Sequence, residues 1–327
     1  LDRAVNLDQQ WMRKITLVVA AEENGLDLSN LRIKFKITQS DNETPNTAWI
    51  RVYNLSPDTM RQITGRTPVE YTRVVLQAGY EFSAFGVIFD GTIKQFRKGR
   101  ENATDTFLDI LAAAGDIEYN FGVCNTTVAA GSTPQERVGT IAAQMGLAVG
   151  ETPGLTTGGI LPRGKVLWGM GRALMRCEAN SQLSTWTITD GKVDVVAKAG
   201  YLPGEAVVLT AATGLVGIPE QTEQGIRLRC LLNPKLRIAG LIQIDNTSLT
   251  QLSQADLRAS GFPVRALPVG QVPFDKRAGV QLPADISSDG FYRLYVVEFT
   301  GDNRGLEWYA DLTALSIDKS TNQVLAS

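Results

Sequence analysis

Two short basic arrays are the residues whose types and spacing could do chemistry. Arg32, Lys34 and Lys36 alternate with apolar residues, and Arg97, Lys98 and Arg100 crowd into four positions. Cations so spaced could meet the carboxylates of a partner or face a negatively charged channel. Neither array is interleaved with the aromatic residues that single-strand nucleic-acid grooves use for stacking. A solvated strand face for the first and a solvated basic turn for the second fit the same pattern. Other chemistry is thin. The chain has no histidine, which removes Ser-His and Cys-His nucleophiles, His-containing metal sites and histidine pH switching. Carboxylate-pair and Ser-Lys chemistry remain open. Asp302 and Glu307 lie beside a turn and read as a solvated hairpin tip. Gly169-Met170-Gly171 falls inside a helical pattern and lacks the rest of a dinucleotide fingerprint. The three cysteines, Cys124, Cys177 and Cys230, have no CxxC spacing and read as small buried thiols of a chain folded in a reducing compartment. No catalytic residue, cofactor or metal is expected.

Bulk composition agrees with that reading. The 327 residues are 43% hydrophobic and 20% charged, with 32 basic and 34 acidic side chains. A net charge of -2 argues against gripping phosphate backbones through bulk charge. The longest early apolar run, 15–21, ends at Glu22-Glu23; it is too short for a spanning helix and unlike a signal peptide. No membrane insertion is expected.

The elements that would position these residues are mostly strands. Leu31, Ile33, Phe35 and Ile37 share one face of a strict alternation, and a second strand over 47–55 completes a hairpin. Ser56 and Pro57 would start a short helix. Strands follow over 71–79, 84–89, 91–96 and 105–112, with Asp90-Gly91 as a tight turn or a bulge. Thr133, Pro134 and Glu136 form a capping box ahead of the apolar face Val138, Ile141, Ala142 and Met145. A Gly-rich linker would span 150–159, and a helix 165–179 would place Leu167, Met170, Leu174 and Cys177 on one face. Asp190-Gly191 marks a hairpin between strands 184–189 and 192–197. Strands 225–232, 241–246, 291–300 and 306–317 follow, interrupted by a Pro-rich stretch over 250–288. Trp49 and Trp308 lie in strand patterns and suit packing better than ligand stacking. The fold class is mainly β with an α+β middle: two β-barrel domains, 1–118 and 223–327, flanking a mixed domain over 119–222.

Four strings resemble one family. They are Thr47-Ala48-Trp49-Ile50-Arg51-Val52-Tyr53-Asn54-Leu55-Ser56; Phe89-Asp90-Gly91-Thr92-Ile93 with Asp105-Thr106-Phe107-Leu108-Asp109-Ile110; Leu202-Pro203-Gly204 through Leu231-Leu232-Asn233-Pro234; and Tyr292-Arg293 through Trp308-Tyr309. In this order they resemble the baseplate hub proteins of tailed bacteriophages, relatives of the base of type VI secretion spikes. The resemblance implies a homotrimer with two barrels per chain, adapting a sixfold tail tube to a threefold spike. It implies tail tube, distal tail, central spike and tape-measure proteins as partners, and DNA passing through the lumen without specific binding. It also implies a place at the virion tail tip after assembly in the host cytoplasm, and no enzymatic activity. The alternative is a tail-associated carbohydrate-binding or cell-wall-degrading protein. Arg32, Lys34, Lys36, Arg97, Lys98 and Arg100 are the candidate inter-subunit or channel-facing residues.

Overall fold

A computed structural model describes residues 10–19, 25–64, 71–155, 159–222, 225–244, 290–318 and 323–324. Alternation dictates the first strands. β1 (Arg13–Val19) buries Ile15, Leu17 and Val19, and β2 (Leu26–Asp27) folds back on its end. β3 (Ile33–Ser40) buries Ile33, Phe35 and Ile37 and forms the expected hairpin with β4 (Thr47–Tyr53). α1 (Pro57–Thr64) begins where the Ser56 hydroxyl accepts the Thr59 N–H at 3.0 Å. β5 (Arg73–Tyr80), β6 (Phe85–Arg100) and β7 (Thr106–Ala113) form a meander.

β6 corrects two expectations. The segments 84–89 and 91–96 are one strand of 16 residues, and Arg97 to Arg100 is its end rather than a turn. Two strands of one sheet hold it: β5 pairs with its first half, and β7 with its second. Bulges at Ile88 and Lys94 bend it between them. Gly91 sits where β6 passes both neighbours; a Cβ there would lie 2.6 Å from the Ala113 carbonyl oxygen and 2.7 Å from the Phe89 ring.

The middle of the chain builds its own core from α2 (Asp116–Phe121), β8 (Val123–Val128), α3 (Pro134–Met145), β9 (Ala148–Val149), β10 (Lys165–Met170), α4 (Gly171–Ser181), β11 (Ser184–Thr189) and β12 (Lys192–Ala197). The capping box at Thr133 and Glu136 is present, and Val138, Ile141, Ala142 and Met145 are buried. Asp190 and Gly191 both take positive φ, 51° and 73°, as a type I′ hairpin requires. The helix expected over 165–179 divides in two. Lys165–Met170 is a strand paired with β8, and the helix starts only at Gly171. Val166, Leu167 and Trp168 alternate exposed, buried, exposed, and Gly169 at φ 130° breaks any helical continuation. α4 then buries Gly171, Met175, Glu178 and Ala179, which leaves Cys177 exposed; Cys124 and Cys230 are buried as expected. The Gly-rich stretch is not a free linker before residue 155. Gly150 and Gly154 donate to the Val193 and Val195 carbonyls along β12.

β13 (Val207–Leu209), β14 (Leu215–Thr222), β15 (Gly225–Leu231), β16 (Leu241–Ile244), β17 (Phe291–Asp302) and β18 (Trp308–Asp318) return to the first sheet, and β19 (Gln323–Val324) pairs with β18. The Pro-rich stretch 250–288 lies outside the described residues. The chain is mostly β, and its early and late strands form one 14-stranded sheet over a shared core. Its hydrogen-bonded path is open among the described residues, from β14 through β15, β18, β17, β3, β4, β7, β6, β5 and β1 to β2. Both strands of 207–222 belong to this sheet, one beside β16 and one beside β15.

The sheet contains one arrangement twice, with β16 branching from β17 beside the path. The order β3-β4-β7-β6-β5 repeats as β14-β15-β18-β17-β16. The hairpin registers repeat as well. In β6–β7, Ile93 faces Ala112, Lys94 bulges and Arg97 faces Asp109; in β17–β18, Leu294 faces Ala314, Tyr295 bulges and Glu298 faces Asp311. Arg51 of β4 faces Asp109, as Arg229 of β15 faces Asp311. The two units join where β17 of the second pairs with β3 of the first, from Val296 opposite Ser40 to Asp302 opposite Lys34.

Candidate functional site

The residues between the buried positions of β3 lie on the outer face of the sheet. The register with β17 brings carboxylates to them. Arg32 meets Asp302 at 2.7 Å, Lys34 meets Glu307 at 2.9 Å and Lys36 meets Glu298 at 3.1 Å. The first basic array is therefore neither bare nor merely solvated: it faces acids of the same chain across the seam between the two units. Asp302 and Glu307 are not a free hairpin tip, and Asp302 is buried. Burial alone would raise the Asp302 carboxyl. Hydrogen bonds from Arg32, then from the Arg304 N–H, outweigh it and hold the group below the ordinary carboxylate range. Partly exposed pairs contribute little each. The seam rests mainly on its ladder and on Phe35, Ile37 and Phe299 beneath it, with Trp308 edge-on to Phe35 at 5.6 Å.

The second array sits three strands away on the same sheet. Arg97 pairs with Asp109 at 2.9 Å, and Arg51 grips the same carboxylate through Nε at 2.6 Å and Nη2 at 3.0 Å. Arg51 also lies over the Phe107 ring at 4.0 Å and the Trp49 ring at 5.1 Å. Burial opposes ionisation of Asp109, but the Arg51 and then the Arg97 hydrogen bonds prevail and its pKa is lowered. In the second unit Arg229 grips Asp311 through the same atoms at 2.6 and 3.0 Å, with Tyr309 under its guanidinium at 5.6 Å. Lys98 and Arg100 are exposed and have no polar partner among the described residues.

A row of charged residues thus crosses the outer face, Arg97, Asp109, Arg51, Lys34 and Asp302, with the cations Arg51 and Lys34 side by side between two carboxylates. Sequence reasoning finds the cations and misses Arg51, Asp109, Arg229, Asp311 and Glu298. The signal for them is a repeated string: Phe107-Leu108-Asp109-Ile110-Leu111-Ala112 matches Tyr309-Ala310-Asp311-Leu312-Thr313-Ala314 as aromatic-x-Asp-aliphatic-x-Ala.

Behind this face, the middle unit docks through a buried cluster. Arg293 of β17 pairs with Asp41 and donates to the Lys198 carbonyl at 3.0 Å, while the Thr185 hydroxyl donates to Asp41 at 2.9 Å. Beside it lies a cavity of about 40 Å³ lined in part by Asp41, Asp190 and Asp194. That volume suits one or two waters rather than a sugar ring. No group of three or more potential metal ligands occurs among the described residues.

Comparisons with known proteins follow the same lines. The family described as baseplate hub gp41 matches residues 12–250. A 43 kDa tail protein of prophage MuSo2 from Shewanella oneidensis is similar in fold, with a TM-score of 0.56 at 8% identity over 93% of this chain and 98% of its own. A tail protein from Neisseria meningitidis MC58 gives a TM-score of 0.54 at 9% identity, covering 94% and 97%. The E. coli c3393 protein, a type VI secretion component described as structurally similar to the phage T4 tail proteins gp27 and gp5, gives 0.54 at 10%, covering 95% and 79%. No match is found among curated protein sequences.

Proposed function

The chain belongs to the baseplate hub gp41 family, and we propose that it acts as a homotrimeric ring joining a sixfold tail tube to a threefold central spike. The observation that carries this reading is the duplicated five-strand unit. Three copies of a chain with two equivalent units present six similar units toward the tube and three whole chains toward the spike. The work is done by interfaces, without an enzymatic step. In this reading the middle unit and the loops meet the distal tail, tape-measure and spike proteins at the virion tail tip, and the ring is built in the host cytoplasm.

The sheet face that carries the charged row lines the lumen in this reading. Lys34, Lys36, Arg51 and Arg229 on it are matched by carboxylates, so much of its positive charge is already spent before phosphates pass. DNA would slide past such a surface rather than bind it.

The test is the mass in solution by light scattering on a sizing column, across a range of concentrations. A mass near three times the 35.5 kDa chain is expected. End-on electron micrographs should then show six lobes. A single chain at every concentration, also after co-expression with its tube and spike proteins, would overturn the ring.

A further inference from the structure

We propose that the free edge of β6, Gln95 to Arg100, pairs with β14 of a second copy of this chain, in the register that β17 and β3 use within one chain. This rests on the ring reading above and assigns its subunit contact. The seam between the units is head-to-tail: it uses β17 of the second unit and β3 of the first. Duplication means that each unit owns both halves of such a seam. The halves left over are β6, the counterpart of β17, and β14, the counterpart of β3. Among the described residues no strand pairs with β6 beyond Ile93 except β7, and β14 ends the sheet path. A head-to-tail contact with both halves free closes into a ring when the rotation permits.

Charge complementarity selects the partner. In the internal seam the cation is on β3 and the carboxylate on β17, as Lys36 with Glu298. Arg97 occupies the place of Glu298, since each faces the conserved-register Asp of its hairpin, Asp109 or Asp311. Glu220 occupies the place of Lys36, since it faces Arg227 as Lys36 faces Trp49, two residues before Arg229 and Arg51. The seam between copies therefore sets Glu220 against Arg97, the internal pair with its polarity reversed. Arg97 keeps 69% of its side chain exposed beyond Asp109, and Glu220 has no ion pair among the described residues.

The reversal also blocks wrong pairings. β6 against β3 would set Arg97 beside Lys36, and β14 against β17 would set Glu220 beside Glu298. Burial points the same way. Phe96 is half-exposed at the open edge, while its counterpart Val297 is fully buried under β3. β14 bulges between Val216 and Glu220, with Gly217 at φ 74° and Pro219 lacking an N–H, so the new ladder runs over 220–222 and is shorter than the internal one.

The test is a disulfide trap in the full chain, with the exposed Cys177 replaced by Ser. The transferred register sets Lys98 opposite Gln221, as Phe299 is set opposite Ile37. Oxidation of the Lys98→Cys/Gln221→Cys protein should give a ladder ending at three chains, and either single variant should give none. Glu220→Arg alone should weaken association at least tenfold by light scattering with unchanged circular dichroism. Adding Arg97→Glu should restore it. A wild-type trimer with no ladder from the double-cysteine protein, or one indifferent to Glu220→Arg, would overturn the edge assignment and leave the ring standing. A wild-type chain that stays monomeric at every concentration, also after co-expression with its tube and spike proteins, would overturn both.

Discussion

Removing the Asp41 carboxylate tests the account of how the middle unit is held to the sheet. Asp41 and Arg293 are both nearly fully buried, and Arg293 spans from Asp41 to the Lys198 carbonyl. In Asp41→Ala the guanidinium keeps the Lys198 carbonyl and loses the Asp41 carboxylate. Burial already lowers the Arg293 pKa, with the Asp41 charge opposing that effect, so the cation left behind is poorly solvated. Breaking one side of a buried pair costs about 3–5 kcal/mol. The Thr185 hydroxyl adds little, because it retains the Val196 carbonyl at 3.3 Å. With a urea slope of about 2–3 kcal/mol/M, the midpoint should fall by about 1–2.5 M. The assay is urea unfolding followed by Trp fluorescence and circular dichroism, which report the buried Trp186 and Trp308 and the sheet. Asp41→Leu/Arg293→Met removes both charges and should recover most of the loss. A midpoint within about 0.3 M of wild type for Asp41→Ala, or a double variant no better than the single, would mean that the Asp41–Arg293 pair does not hold the middle unit to the sheet.

Further outcomes are expected. A thiol reagent should label Cys177 rapidly in the folded protein and all three cysteines after denaturation, since burial raises the Cys124 pKa and pushes Cys230 to about 12; fast labelling of two thiols would contradict the fold. Asp109 and Asp302 have lowered pKa values, so their contribution is present above the unfolded value of about 3.9 and is lost as pH falls through their folded values. Asp109→Asn should therefore flatten the acid limb of a stability-against-pH curve, and an unchanged limb would count against the Arg51–Asp109–Arg97 grip. Gly91→Ala should cost about 1–3 kcal/mol by urea titration, because its Cβ meets the Ala113 carbonyl. A neutral result would show that β6 passes its neighbours less closely.

Local pattern predicts local structure well here. The alternation over 31–37 predicts β3 to within a few residues because one face is buried and the other wet. The capping box predicts α3 because Thr133 and Glu136 satisfy each other's backbone donors. Pattern fails at 165–179, where apolar spacings of three and four mimic a helix. There Leu167 is the inward residue of a strand and the true helix face begins at Gly171. It also fails at Asp90-Gly91, a strong turn signal that serves a close passage inside a long strand. The charged row shows the wider limit. Arg32 and Lys36 are visible as cations, but their partners lie some 270 residues away, and pairing at that distance leaves no periodic trace. The duplication is legible only in the two Asp-centred strings, because the remaining equivalences lie in register rather than residue type.

The seam between β3 and β17 bears on synthesis. Arg32 leaves the ribosome 270 residues ahead of Asp302. At about 5–20 residues per second, that is roughly 15–55 s during which β4 has formed its hairpin with β3 and the other edge of β3 has nothing to pair with. β17 and β18 join through a five-residue connection and can close within microseconds once made, so the hairpin arrives preformed. Lys34 and Lys36 repel another nascent chain's β3 during that wait and attract Glu298 and Glu307 at its end. The same lysines thus guard the unfinished chain before they fasten the finished one.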